Sequence, residues 1–513
     1  MNLKRLALAL FFCAFAIRIV LAVIFPLIPD EAYYWSWSTK PAISYWDQPA
    51  GSAFFLGLAE RWFGHSELSL RLLPILGSMI SALLIFLIVR EFLSFELALL
   101  CVTIPLYTPI AFGQTLALHD SFMVPFWTMA LAAANKLRKE PKKILWWLLL
   151  AGFWALAVYS KLNALFFGFG ILIFCVATKR YRDWLLNVRA WIAALLFLLL
   201  IAPIFIWNIE HQGITFLAVK RLTLIHPTST IASVVTSILE FFGSQALLIT
   251  PGFFVLILIS LWRAPFDFKR ERDDLPLFFF SFSAPVFLYF LWVAFKSKVQ
   301  GNWPAPMYVA AVPLVIWYAK KLWSNRFLRI FIKISIVACA LEIIALGAHL
   351  AFPVAKIPQD PTLQMWGWKE LAARVEEEAK ICDASFLLTR KYQVGSELMF
   401  YLKNQLPVLC ANYSGRGNQF DLWNDFAAVA NKNAIIVDTR AVSLKLLAHF
   451  DSHEMLNVEV AHRANLSANI FYIYCAKNFK IQGPHQDYFR APFEYGLKRL
   501  KTLVRATPNE SGN

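Results

Sequence analysis

The stretch LALALFFCAFAIRIVLAVIFPLIPDEAYYWSWS, residues 6–38, decides how this chain is read. From Leu6 to Leu27 it is apolar except for Arg18. That is enough to span, since about 20 apolar residues cross a hydrocarbon core of about 30 Å. Lys4 and Arg5 precede the run, and no small-residue cleavage site follows it, so it reads as a retained first span instead of a removed leader. Where the run stops, two adjacent acids, Asp30 and Glu31, open an aromatic segment.

The rest of the 513-residue chain follows the same pattern. Hydrophobic residues make up 59% and charged ones 16%, and the mean hydropathy is +0.55. This is a polytopic α-helical membrane composition. The net charge of +16 does not indicate nucleic acid, because Lys and Arg fall in short clusters between apolar runs, such as Lys136 to Lys143, Lys179 to Arg182 and Arg263 to Arg272. The clusters occupy every second junction if spans lie near 6–27, 69–89, 95–113, 120–135, 144–160, 162–178, 189–207, 244–262, 275–295, 303–319 and 327–350. The positive-inside rule then places the amino terminus in the cytoplasm and, with about eleven spans, the carboxyl-terminal part outside. An Arg within the first span is costly in lipid, so Arg18 is expected to face the bundle interior or a polar partner.

After Phe352 the composition changes. WKELAARVEEEAKI has helical spacing, and SFLLT, LPVLCAN, NAIIVDT, MLNVEVAHR and IFYIYCAKN read as strands. The expected organisation is a membrane domain over 1–352 with outer loops at 28–68 and 208–235, a small α/β extracytoplasmic domain over 353–480, and a basic, poorly ordered tail over 481–513. GSAFFLGLAERWFG, too short to span, reads as a helix in the outer interface. The α/β part carries no GxGxxG, P-loop or nucleophile elbow, so it is given packing or acceptor recognition and not the chemistry. Cys382, Cys410 and Cys475 allow one disulfide, whose pairing the sequence leaves open.

With that topology, Asp30, Glu31, Asp47, His119, Asp120, Lys161, Asn208, Glu210, His211, Lys296, Lys298 and Asn302 all fall at outer span ends or in outer loops. Neighbouring helical residues point about 100° apart, so Asp30 and Glu31 are expected to do different things. A partly desolvated Asp30 would be a better proton acceptor, and Glu31 would bind a cation, pair with a base or hold the loop. Tyr33, Tyr34, Trp35 and Trp37 read either as an interfacial aromatic belt or as a platform for a sugar ring. Asp120 is read as joining a sugar or metal site with Asp30 or Asp47, as capping the helix that follows, or both. Lys161 either snorkels or neutralises a phosphate leaving group.

Taken in order, PDEAYYWSWS, YWDQP, LALHD, YSKLNAL, APIFIWNIEHQG and GNWPAPMYVA resemble the GT-C superfamily of polyprenyl-phosphate-sugar-dependent glycosyltransferases. The likeness is to the bacterial protein O-mannosyltransferase branch that includes lipid A galacturonosyltransferases, and more distantly to the aminoarabinose transferase. These motifs cover most of residues 1–350 and say little about 353–513. The resemblance implies Asp30 as base for an acceptor hydroxyl, Glu31 and Asp120 as supporting acids, and Lys161 as a donor-phosphate contact. Lys298 is a second phosphate candidate. Tyr33, Tyr34, Asp47, His119, Asn208, His211, Asn302 and Trp303 are substrate candidates. One departure is Asp47-Gln48-Pro49-Ala50, where relatives often carry a His after the Asp. A divalent cation, Mg or Mn, is an open cofactor with Asp30 and Asp120 as its candidate ligands.

The implied function is an inner-membrane transferase that moves a sugar from a polyprenyl-phosphate donor to lipid A, another glycan or a protein, among membrane lipids. The rival is a flippase for a lipid-linked sugar. Transporters commonly show inverted repeats and broken midplane helices; this chain shows no internal repeat, and its charges gather at one face.

Overall fold

A computed structural model describes residues 2–222, 230–271, 273–353, 357, 360–463 and 466–505. The chain divides into two compact units. The first comprises Met1–Ala22, Gln48–Glu210 and Leu222–Leu346; the second comprises Val23–Asp47, His211–Arg221 and Gly347–Asn513.

The first unit is helical. Among the described residues, seven helices of the chain are long and apolar enough to cross a membrane: Leu3–Ile24, Glu67–Val89, Val188–Glu210, Ile231–Ile249, Pro251–Arg270, Asp274–Ala294 and Arg326–Ala351. Three shorter apolar helical stretches, Phe95–Tyr107, Ile144–Ser160 and Leu162–Ala177, lie where further spans were expected. Leu195, Leu199, Val337 and Leu341 are exposed on these helices, as a lipid-facing bundle requires.

The span expected at 244–262 is replaced by two helices, Ile231–Ile249 and Pro251–Glu271. Thr230 caps the first by accepting the Ser233 N–H. Thr250 breaks the run at φ 73°, and Pro251, which has no N–H to lose, opens the second. The loop expected over 208–235 is therefore shorter, and its residues 223–229 lie outside the described ones. Arg18 is fully buried and donates to the carbonyls of Ala14 (2.9 Å), Leu106 (2.8 Å) and Ala111 (3.1 Å). Two of those oxygens come from the broken stretch around the 3-10 turn Ile104–Tyr107, whose carbonyls are not consumed by a regular helix.

The second unit is built on a five-stranded sheet. Its strands are β1 (Phe386–Thr389), β2 (Val408–Cys410), β3 (Ala434–Asp438), β4 (Phe450–Arg463) and β5 (Leu466–Phe479), in the order β2-β1-β3-β5-β4. β1 runs parallel to β2 and β3, whereas β5 is antiparallel to β3 and β4. All five expected strands are present. Alternation sorts their side chains: Ala434 and Ile436 enter one core with Phe386, Tyr474 and Phe479, and Ile435 and Val437 enter the other with Ile473 and the helix Trp368–Cys382. Cys382 and Cys475 form a disulfide, and Cys410 is a buried free thiol.

Two features depart from the sequence reading. The helix Pro29–Ser38, expected in an outer loop of the membrane domain, belongs to this unit. Trp35 meets Phe400 edge-on at 5.0 Å and Tyr33 packs on Tyr392 at 4.3 Å. Tyr33, Trp35 and Trp37 are thus buried core residues, not an interfacial belt, because a protein face covers them before lipid can. The tail is also structured as far as Arg505: the helix Pro492–Arg505 buries Leu497 and Leu500. Residues 506–513 lie outside the described ones.

Candidate active site

In the first unit the polar candidates converge at the start of the helix His119–Lys139 and the end of the helix Ile144–Ser160. Lys161, in extended backbone just past the latter, sends Nζ to both Asp120 oxygens at 2.8 Å. Asn302 Nδ2 donates to Asp120 Oδ2 at 2.7 Å. The neighbours hold this arrangement. Gln48 Oε1 accepts the Leu162 N–H at 3.1 Å, and Asn163 Nδ2 donates to the Trp303 carbonyl at 3.2 Å. Buried His119 shares a 2.7 Å hydrogen bond between Nδ1 and Ser52 Oγ. The helix Gly51–Phe63, expected from GSAFFLGLAERWFG, reaches this point because Gly51 has no Cβ; one would sit 2.7 Å from the Tyr159 backbone.

The second unit holds the other acids. Asp47 is buried; its Oδ2 accepts the Tyr33 hydroxyl at 3.0 Å and its Oδ1 lies 3.1 Å from Arg416 Nη2. The Tyr33 oxygen in turn accepts the Gln419 N–H at 2.8 Å, and Gln419 Oε1 accepts the Trp46 N–H at 2.8 Å. The Arg416 guanidinium also stands over the Tyr392 ring. Asp30 is partly buried beside this network. No hydrogen bond reaches its carboxylate among the described residues.

Burial pushes the Asp30 carboxyl above its ordinary value; Arg416 opposes this, while Asp47 and Glu31 add to it. Burial likewise raises Asp47, against Arg416 and the Tyr33 hydroxyl. Arg416 is pulled down by burial, but Asp47 and the surrounding tyrosines raise it further. A carboxylate with a raised pKa that accepts no hydrogen bond among the described residues is suited to receive a proton.

Other candidates fall elsewhere. Glu31 is fully buried and accepts the Ile28 N–H at 3.1 Å, a helix-start bond that ties down the segment carrying Asp30. Tyr34 packs on Tyr33 and Trp37. Asp120 does not cap its helix, since Leu118 occupies that position and the carboxylate is directed to Lys161 and Asn302. Lys161 is not a snorkelling lysine, because its side chain is 11% exposed and paired. Asn208 donates to Ile204 within its own helix. His211 belongs to the second unit. Lys298 forms an exposed pair with Glu240 at 3.0 Å. Sequence reading missed Arg416, Tyr392 and Gln419; the one local signal is SGRGN, residues 414–418, where two glycines flank a lone arginine.

A divalent cation does not fit these residues well. Both oxygens of Asp120 already face Lys161, and no three His, Cys, Asp or Glu converge among the described residues.

Comparison with known proteins shows what the chain is similar to. The chain has the fold of ArnT from Cupriavidus metallidurans, in its crystal structure bound to undecaprenyl phosphate, with a TM-score of 0.60 over 91% of this chain and 97% of that one at 13% identity. It also resembles the Archaeoglobus fulgidus oligosaccharyltransferase in the apo form, with a TM-score of 0.51 over 84% of this chain and 69% of that one at 12% identity. No curated protein sequence matches it. The chain therefore shares the fold of these two proteins. Residues 47–207 match the family described as dolichyl-phosphate-mannose-protein mannosyltransferase.

Proposed function

We propose that the chain moves one sugar from a polyprenyl-phosphate donor to a hydroxyl on lipid A, another surface glycan or a protein, in a single inverting displacement. The acceptor oxygen bonds to the anomeric carbon as the carbon–oxygen bond to phosphate breaks. The acceptor's proton passes to Asp30, and the bonding pair leaves with the polyprenyl phosphate. The open Asp30 carboxylate, raised by burial, carries this reading. General-base help of this kind is worth about 10²–10⁴-fold.

The Cupriavidus metallidurans ArnT of the same fold binds undecaprenyl phosphate, which supports a donor of that lipid class here. Lys161 is assigned to the leaving phosphate: an ammonium has three N–H groups, and Asp120 and Asn302 fix where it stands. Because the acids do not gather as metal ligands among the described residues, we assign this charge to Lys161 and not to Mg or Mn, and transfer should persist in a chelator. The basic clusters and the Cys382–Cys475 disulfide support a bacterial inner-membrane protein with a cytoplasmic amino terminus and a periplasmic second unit.

The test is transfer by purified protein from undecaprenyl-phosphate sugars, with mass spectra of lipid A and surface glycans from a deletion strain and its parent. A missing mass of one hexose, uronic acid or amino sugar identifies donor and acceptor class together. Movement of a labelled lipid-linked sugar across vesicles with no transfer would instead establish the flippase.

A further inference from the structure

The α/β domain over 353–480 was expected to stand apart from the chemistry, yet the second unit fixes Arg416 through several contacts. Asn412 and Asn418 donate through Nδ2 to the Arg416 carbonyl at 2.6 and 3.3 Å. Arg499, from the helix Pro492–Arg505, donates to the carbonyls of Tyr413 (3.1 Å) and Ser414 (2.6 Å). Buried Asp421 accepts the Asn418 N–H at 3.0 Å and the Tyr488 hydroxyl at 2.8 Å. The loop also lies against Trp46, the neighbour of Asp47: a Cβ on Gly417 would meet the indole at 2.3 Å.

The Arg416 side chain is 36% exposed, but an arginine that met solvent alone would need none of these constraints. A guanidinium aimed at one particular carboxylate does. Arg416 takes one oxygen of Asp47; the other accepts Tyr33, whose hydroxyl accepts the N–H of Gln419 from the same loop. Tyr33 stands on the helix Pro29–Ser38, three residues after Asp30. The loop therefore holds that helix through two linked contacts.

We propose that Arg416 is a positioning residue: through Asp47 and Tyr33 it sets the helix that carries Asp30 in the geometry that proton transfer requires. This rests on the glycosyl-transfer reading. Removing Arg416 leaves a buried Asp47 charge without its cation, which is the costly way to break such a pair, and the helix shifts to rehydrate it.

The test is a cycle of Arg416→Gln, Asp47→Asn and the double variant, with Gly417→Ala and Arg416→Lys alongside. Arg416→Gln should lower kcat by about 10²-fold, as a displacement near 1 Å does, and leave KM for the donor near the wild-type value. Gly417→Ala, which keeps the arginine but lifts the loop from Trp46, should lose kcat in the same way, and Arg416→Lys should recover part. The double variant should be no worse than Arg416→Gln, because the pair acts as one unit. Wild-type kcat in Arg416→Gln, or losses that multiply in the double variant, overturns the proposal. Amide exchange over residues 29–38 separates the two readings: it should quicken in Arg416→Gln and slow again in the double variant whether or not sugar is transferred. Unchanged exchange overturns the role of Arg416, whereas a wild-type protein that transfers nothing overturns glycosyl transfer alone.

Discussion

Asp120 and Asp30 are both buried or partly buried carboxylates near helix starts, but their surroundings differ. Asp120 has both oxygens occupied, by Lys161 at 2.8 Å and by Asn302 at 2.7 Å. Asp30 accepts no hydrogen bond among the described residues, and burial raises its pKa. A carboxylate held by a cation and an amide has its oxygens occupied, whereas an open one with a raised pKa is suited to receive a proton. The contrast underlies the proposal that Asp120 fixes a lysine while Asp30 acts as the base.

That contrast is easiest to break at Asp30. Asp30→Asn should lower transfer by about 10²–10⁴-fold and leave thermal unfolding in detergent unchanged, since no internal bond is lost. Substantial residual transfer would remove Asp30 as the base. Asp120→Asn should act the other way, through structure: it strands the Lys161 ammonium, and breaking a buried pair from one side costs about 3–5 kcal/mol. A clear fall in unfolding temperature is expected, and an unchanged one would show that Asp120 is not the anchor its contacts indicate.

The pH dependence sharpens the same distinction. The base must be deprotonated, so transfer should fall as pH drops through the raised Asp30 pKa, and the acid limb of kcat/KM should lie above the ordinary aspartate range near 4. Asp47 contributes to that rise. Asp47→Asn should therefore move the limb to lower pH, even where the maximal rate is reduced. A limb that stays in place would separate Asp30's titration from the rate.

Much of the fold was legible because it rests on local pattern. The apolar runs and the five β-branched runs sit where helices and strands form, with the main error at 231–271, where Thr250 and Pro251 split what hydropathy alone joins. Arg18 was legible because an arginine in an apolar run has to find acceptors, and it finds the carbonyls of Leu106 and Ala111. Lys161 and Asp120 were both named as candidates, but their pairing depends on tertiary packing between residues 41 positions apart. Arg416 was not legible. Its partner Asp47 lies at the far end of the sequence, and SGRGN read alone is an ordinary polar loop. The aromatics after Asp30 were misjudged for a related reason: Tyr and Trp suit a membrane interface and a protein core equally well, and only Phe400 and Tyr392 decide between them.

The smallest expected effect separates two lysines that sequence reading treated alike. Lys298 and Lys161 each pair with an acid, but Lys298 and its partner Glu240 have side chains 56% and 45% exposed, against 11% and 6% for Lys161 and Asp120. In water the first pair is screened and costs little to lose, and its ammonium is already hydrated. The second is shielded, so its field on a nearby phosphate is stronger. Lys298→Gln should accordingly leave KM for the polyprenyl-phosphate donor unchanged, whereas Lys161→Gln should raise it and lower kcat together. Equal effects in the two variants would mean that burial does not distinguish them, and Lys298 would return as a phosphate contact on the same footing as Lys161.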